Sequence, residues 1–257
     1  DGTNLGNSVT DLDFSGNISI TTLSLTNFPN TTVTLPAGNS LGSLTLNNVQ
    51  VTDLDLSSKT NLRTLSLVNL SGGAIKFPND LTSLTLDNID TTRLDFSNLT
   101  GLESFSLANV KSGNIQLPNA TSVTELTLTN VEADTIDFSG MTGVENLTLN
   151  GVQTTGDLDL SLLTVATGLS LTNVSGKKIT FPAANGVTSL TLDNVAGEVD
   201  LSSMAKLTTI NLRNMPKGFH VDFGTNTTTT TLNMTGSDLS EYESDQIKGD
   251  LDALTTL

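Results

Sequence analysis

The stretch that decides the fold is a short signature, Leu-x-Leu-x-Asn followed by an apolar residue. It first reads Leu23-Ser-Leu25-Thr-Asn27-Phe28. The signature returns about every 21 residues, with its first apolar residue at Leu44, Leu65, Leu84, Phe105, Leu126, Leu147, Leu169, Leu190, Ile210 and Leu232. A fixed period of this size predicts a solenoid in which each repeat forms one coil.

A second apolar pair lies between successive signatures, as in Leu12-Asp-Phe14. Both stretches alternate apolar and polar residues, which is the pattern of a half-buried strand. Gly, Asn, Ser, Thr and Pro fill the links between them, and these residues favour turns. We therefore expect an all-β-rich solenoid over residues 1–236, with about 11 coils of about 21 residues and two short parallel strands in each coil.

The two ends of the chain carry separate expectations. Ser240 and Glu243 form a capping-box pattern, and Ile247, Leu251 and Leu254 follow it. This pattern predicts a short helix within a C-terminal cap, residues 237–257, that covers the last coil. The chain begins at Asp1 without Met or a signal peptide, so we expect a mature fragment or an excised domain.

Composition narrows the classes of partner. The 257 residues carry a formal net charge of −16, so nucleic acid and anionic membranes are poor partners, while a cationic partner or divalent cations remain open. The chain has no cysteine and no apolar run of about 20 residues, so we expect neither a thiolate site nor membrane insertion. Abundant Ser, Thr and Asn, with only 11 Lys and Arg residues, favour a secreted or surface protein of a bacterium.

The asparagine of the signature predicts a structural ladder. It lies two residues beyond an inward Leu, so strict alternation places it on the inward face of the strand. An inward amide needs hydrogen-bond partners, which stacked copies can supply. The ladder residues are Asn27, Asn48, Asn69, Asn88, Asn109, Asn130, Asn173, Asn194 and Asn214, and Gly151 interrupts them.

The segment Leu62-Arg-Thr-Leu65-Ser-Leu67, with Asn69, resembles the core of a leucine-rich repeat. Leu94-Asp-Phe96-Ser is similar to the Leu-Asp-Leu half of the 21-residue bacterial repeats of that family. One residue, not the usual two, separates the last Leu from the Asn. The resemblance implies a horseshoe or straight rod whose strand face binds proteins or glycans, and bacterial surface proteins of this kind are commonly adhesins.

Outward residues between the two signature leucines carry short hydroxyl side chains. They are Ser24, Thr45, Ser66, Thr85, Ser106, Thr127, Thr148, Ser170 and Thr191. Ser and Thr are ordinary soluble strand residues, so this pattern also arises without any ligand. The functional alternatives are a protein or glycan ligand, another copy of the chain, or an ice-like lattice of ordered water.

The second outward column is acidic in most coils. Acidic coils mostly alternate with neutral or basic ones, but two pairs of acidic coils are adjacent. Adjacent carboxylates at strand spacing are candidates to share a cation. The weak metal candidates are Asp137, Asp159, Asp200 and Asp222.

Catalytic patterns are absent from the sequence. His220 is the one histidine, and no nucleophile-elbow motif surrounds any serine. We therefore expect no enzymatic activity and no cofactor. The sequence favours a surface or secreted module for binding or adhesion. The alternatives are a structural rod or stalk that spaces other domains, and ice or lattice binding through the Ser/Thr face.

Overall fold

The computed structural model describes residues 9–51, 53–183, 186–224, 228–238 and 240. It divides the chain into two compact units, Asp1–Val123 and Thr124–Leu257. Every assigned element among the described residues is a β-strand. Residues 241–257, where the predicted capping helix falls, lie outside the described residues, as do residues 1–8.

The first unit is built from parallel strands. In chain order they are β1 (Asp11–Asp13), β2 (Thr22–Phe28), β3 (Thr32–Thr34), β4 (Ser43–Val49), β5 (Leu54–Asp55), β6 (Thr64–Ser71), β7 (Ile75–Lys76), β8 (Ser83–Asp90), β9 (Arg93–Asp95) and β10 (Ser104–Gln116). The strands that carry the signature pair in the order β2-β4-β6-β8-β10. The second strands of the coils pair as β1 with β3, β5 with β7, and β9 with the end of β10.

The second unit repeats this plan. Its strands are β11 (Glu125–Asp137), β12 (Asn146–Asn150), β13 (Gln153–Thr154), β14 (Leu158–Asp159), β15 (Gly168–Thr180), β16 (Ser189–Asp200), β17 (Thr209–Arg213), β18 (His220–Asp222) and β19 (Thr231–Asn233). The signature strands pair parallel in the order β11-β12-β15-β16-β17-β19. The two units together carry about ten turns of about 21 residues, which confirms a parallel solenoid resembling leucine-rich repeats.

The core is a column of aliphatic and aromatic layers. In the signature, Leu44 and Leu46 have no exposed surface, and their in-register partners are buried in the same way. Phe96 is also fully buried, with its ring centroid 4.9 Å from that of Phe77 and 5.2 Å from that of Phe105. Burying each such side chain contributes roughly 1.5–3 kcal/mol, so several apolar residues per turn hold the stack together.

The prediction that the signature Asn points inward is wrong. All nine Asn residues have a left-handed backbone conformation, with φ between 49° and 64°. Their side chains are exposed, apart from Asn27 and Asn48, which are half-buried. A left-handed residue breaks the alternation of a strand, so two successive residues face outward and the apolar residue after the Asn is buried again.

Two glycines take the place of Asn in the turns that lack it. Gly151 has a φ of 70° and Gly236 a φ of 76°. Asn and Gly are the residues that adopt this conformation most readily. Gly236 lies four residues after Leu232, just as Asn27 lies four residues after Leu23, so the repeat extends to Gly236. What the turns share at this position is therefore a left-handed backbone conformation. Where the residue is Asn, that conformation directs its side-chain amide outward.

Candidate functional site: two outward columns

The Ser/Thr column of each unit, named here the hydroxyl column, lies in strict parallel register. In the first unit Ser24 is opposite Thr45, and the register continues through Ser66, Thr85 and Ser106. In the second unit Thr127, Thr148, Ser170 and Thr191 are aligned in the same way. Every one of these side chains is exposed or half-buried.

Asparagine continues the column of the second unit after Thr191. Asn211 lies opposite Thr191 and donates its side-chain amide to the Thr191 hydroxyl at 3.3 Å, and Asn233 follows in register. Neighbouring strands are about 4.8 Å apart, so each column presents closely spaced neutral groups that both donate and accept hydrogen bonds. The predicted binding residues are thus brought together on one strand face within each unit.

The signature Asn side chains border this face and bond from turn to turn. The Asn48 amide donates to Asn27 at 3.2 Å, and the Asn194 amide donates to Asn173 at 2.8 Å. Other members donate to the residue just before the Asn of the preceding turn, as when Asn109 and Asn214 donate to the carboxylates of Asp87 and Asp193. These bonds stabilise the left-handed turn and hold the edge of the hydroxyl column in place.

The second outward column, named here the acidic column, caps the turn that follows it. Its members are Asp13, Asp55, Asp95, Asp137, Asp159, Asp200 and Asp222. Each carboxylate accepts a hydrogen bond from the backbone N–H two residues later, at 2.8–3.1 Å. This geometry is an Asx turn, which explains why Asp precedes Ser or Gly by two residues in these coils.

Hydrogen bonding to the charged form lowers the pKa of several of these carboxyl groups. The hydroxyl of Ser57, then Lys76 and the Ser57 N–H, lower the pKa of Asp55 to about 2. The backbone N–H of Ser15 lowers the pKa of Asp13, and the hydroxyl of Ser97 lowers the pKa of Asp95. These groups therefore stay ionised well below neutral pH.

Basic side chains accompany three members of the acidic column. Lys76 lies 2.9 Å from Asp55, Arg93 lies 2.9 Å from Asp95, and Lys178 lies 2.9 Å from Asp200. Lys178 also contacts Glu198 at 3.1 Å. The hydrogen bonds from Asp200 and then Glu198 raise the pKa of Lys178, so this ammonium remains charged at any ordinary pH.

The metal candidate Asp200 already has a cationic partner in Lys178, which the sequence pattern did not predict. Asp200 and Asp222 are direct neighbours in the register of β16 and β18, as the coil order predicts. Partial burial works against ionisation of Asp200, yet hydrogen bonds from Ser202 and Lys178 outweigh it and keep its pKa low. Within the described residues no group of three or more His, Asp or Glu side chains is arranged to hold a metal ion.

The half-buried His220 lies on β18, opposite Glu198. No helix in the described ranges has the length and apolar character that a membrane-spanning helix requires.

Comparison with known proteins gives a limited result. No protein-family model matches the chain, and no curated protein matches its sequence. The crystal structure of an internalin (inlF) from Listeria monocytogenes is similar, with a TM-score of 0.43 and 21% sequence identity. The match covers 76% of this chain and 61% of the internalin chain. Because the TM-score is this low, the functional conclusion rests on the residues of this chain.

Proposed function

We propose that the protein is a non-enzymatic binding module, secreted or displayed on a bacterial surface, that contacts a protein or glycan through its hydroxyl columns. The observation that carries this proposal is the uninterrupted register of exposed Ser and Thr in each unit. The residue between the two apolar residues of the signature is neutral in every turn. The protein has a net charge of −16, yet this column of outward residues carries no charge.

The chemistry of this face suits a repetitive ligand. Ser and Thr have short side chains, so fixing them in a complex costs little conformational entropy. Their hydroxyls donate and accept hydrogen bonds, which matches the hydroxyl groups of a glycan or the exposed edge and side chains of a protein. Each contact is weak, but many contacts at a constant spacing add up when the partner is also repetitive.

A pair of matched substitutions tests this proposal. The purified protein is screened against immobilised glycans and extracellular proteins, and a ligand found there is measured with Thr148→Arg and Thr180→Arg. Thr148 is in the hydroxyl column, whereas Thr180 is in the second outward column, opposite Asp159. We expect Thr148→Arg to weaken binding at least about tenfold by blocking the column, and Thr180→Arg to leave it within about twofold.

Two outcomes would contradict the proposal. One is the failure of the wild-type protein to bind any member of a broad panel at high concentration, which would leave a structural rod or stalk as the better interpretation. The other is equal binding by wild type and Thr148→Arg. The regular register also suits a lattice of ordered water, and a thermal-hysteresis measurement of zero would remove that alternative.

A further inference from the structure

The loop after β14 exposes two large apolar side chains. Leu162 is 50% exposed and Val165 is 49% exposed, and only Ile18 joins them among exposed large hydrophobic residues in the described ranges. The other coils with Asp-x-Ser endings have small or polar residues at these two positions: Gly16 and Ser19, Ser58 and Asn61, Asn98 and Gly101, Gly140 and Gly143, and Ser203 and Lys206. Two exposed apolar residues at positions that are otherwise small or polar distinguish this loop from its counterparts in the other coils.

A cleft of about 210 Å³ lies beside Leu162. It is lined by residues 135–139 at the end of β11, by Asp157 and Asp159 on the next turn, and by Leu162 itself. The lining thus combines the apolar residues Ile136, Phe138 and Leu162 with the carboxylates of Asp137, Asp157 and Asp159. Its position coincides with one of the two places where two acidic coils succeed each other without a Pro-ending coil between them.

The turn beside the cleft contains an extra residue. Leu158 is the seventh residue after Gly151, whereas Ile136 in the preceding turn is the sixth residue after Asn130. The backbone remains paired as far as the bond from the Gly156 N–H to the Asp134 carbonyl, at 3.0 Å. Beyond that point β14 pairs with β15, and no ladder joins it to β11 in the described residues.

The carboxylates of Asp157 and Asp159 bring negative charge to the lining of the cleft. Asp157 and Asp159 have no salt bridge in the part of the chain that the structure describes, although Asp55, Asp95 and Asp200 each have one. No basic side chain lines the cleft. A ligand that brings its own cation next to an apolar group complements both features.

We propose that this cleft, with Leu162 and Val165, docks a basic and apolar peptide segment of a partner protein, in which Lys or Arg stands next to a large aliphatic or aromatic residue. The apolar side chain packs on Leu162 and Val165, and the cation reaches Asp157 and Asp159. A second copy of this chain is a poor occupant, because two molecules of charge −16 repel each other. This surface is separate from the hydroxyl column and does not depend on the function proposed for it.

The test uses a fluorescent decapeptide of alternating Lys and Leu, with a Lys and Ser decapeptide as the comparison ligand. Binding to the full chain is followed by fluorescence anisotropy in low and physiological salt. The double variant Leu162→Ser/Val165→Ser removes the apolar side chains, and Asp157→Asn/Asp159→Asn removes the carboxylates. The control, Glu103→Gln/Glu145→Gln, removes two exposed carboxylates that do not line the cleft. Circular dichroism checks that each variant is folded, and Val165→Ser alone replaces the first double variant if it is not.

We expect the wild type to bind the Lys and Leu peptide at least about tenfold more tightly than the Lys and Ser peptide. The Leu162→Ser/Val165→Ser variant loses this preference, whereas Asp157→Asn/Asp159→Asn weakens the binding of both peptides. The control binds both within about twofold of the wild type, and salt weakens the binding. Equal binding of the two peptides by the wild type, or equal losses in the cleft and control variants, overturns the proposal, because either result indicates general attraction to an acidic surface. Thr148→Arg should leave peptide binding unchanged, so failure of the hydroxyl-column proposal is distinguishable from failure of this one.

Discussion

The side-chain amide of Asn88 donates to Oδ1 of Asn69 at 2.7 Å, and the two residues have φ values of 53° and 55°. Backbone conformation and side-chain bonding are therefore coupled from one turn to the next. The left-handed conformation places the amides outside the core, where they meet at the spacing of the strands. Asn thus adopts the backbone conformation that the turn needs, and its side chain bonds to the neighbouring turn.

This coupling predicts a graded response at Asn88. Asn88→Ala should destabilise the protein by about 2 kcal/mol, because alanine carries the left-handed strain and the amide bond is lost. Asn88→Gly should cost only about 1 kcal/mol, since glycine tolerates the conformation. Urea unfolding measures both. The control is Asn98→Ala, at a residue without a positive φ; an equal loss in all three variants would contradict the role of the backbone.

Gly151 offers the converse substitution. A Cβ at this position would lie 2.5 Å from Oδ1 of Asn130, and φ is 70°. Gly151→Ala should therefore cost at least about 1–2 kcal/mol, and Gly151→Asn should cost less because other turns carry Asn here. Gly101→Ala, whose Cβ would meet the Leu81 carbonyl at 3.8 Å, should stay within about 0.5 kcal/mol. Thermal unfolding midpoints rank the three variants. A Gly151→Ala variant more stable than Gly151→Asn would contradict the requirement for a left-handed backbone at this position.

The period and the alternation were enough to predict parallel coils with two strands each, because Leu44, Leu46 and their counterparts must share a core. They were not enough to orient Asn48. Strict alternation fails wherever a residue adopts a left-handed conformation, and the pattern of apolar residues alone does not report backbone angles. Two signals were present: Gly151 stands where other coils have Asn, and an apolar residue such as Val49 follows the Asn directly.

The candidate sites were predicted unevenly for a similar reason. The hydroxyl columns follow from register, which the repeat length determines. Salt bridges such as Lys178 with Asp200 depend on the course of long side chains, which periodicity does not describe. The cleft beside Leu162 lies next to a turn with one extra residue between Gly151 and Leu158, and the strand pairing around it becomes visible only in three dimensions.

The acidic column predicts how stability changes with pH. The pKa of Asp55 is about 2 in the folded protein, below the value near 3.9 of an unfolded Asp. The unfolded state therefore takes up protons first, and the contribution of Asp55 is present above about pH 4 and is lost as the pH falls toward 2.

Substitutions at this ion pair check the direction. Asp55→Asn keeps an acceptor for the Ser57 N–H but does not titrate, so its unfolding midpoint should fall less than that of the wild type between pH 5 and pH 2. Lys76→Met removes one of the groups that lower the pKa of Asp55, so its stability should fall less than that of the wild type between pH 5 and pH 2, and the fall should end at a higher pH. A steeper fall in Asp55→Asn than in the wild type would contradict the assignment.

The aromatic layer around Phe96 makes a prediction about packing. Phe96 is fully buried between Phe77 and Phe105. Phe96→Ala should cost about 3–5 kcal/mol, whereas Phe96→Leu should cost less than about 1.5 kcal/mol because leucine fills the same position at Leu56. Ile18→Ala serves as the control because Ile18 is 60% exposed. Denaturant unfolding that showed equal losses at Phe96 and Ile18 would argue against the packed layer.

The most direct test of the central claim is a methyl NMR titration with the bound protein or glycan partner, using threonine labelled at its methyl group. If the hydroxyl columns are the binding surface, the signals of Thr45, Thr85, Thr127, Thr148 and Thr191 shift or broaden on saturation. The signals of Thr34 and Thr180, in the second outward column, stay in place. Perturbation of Thr34 and Thr180 with an unchanged hydroxyl column would contradict the account.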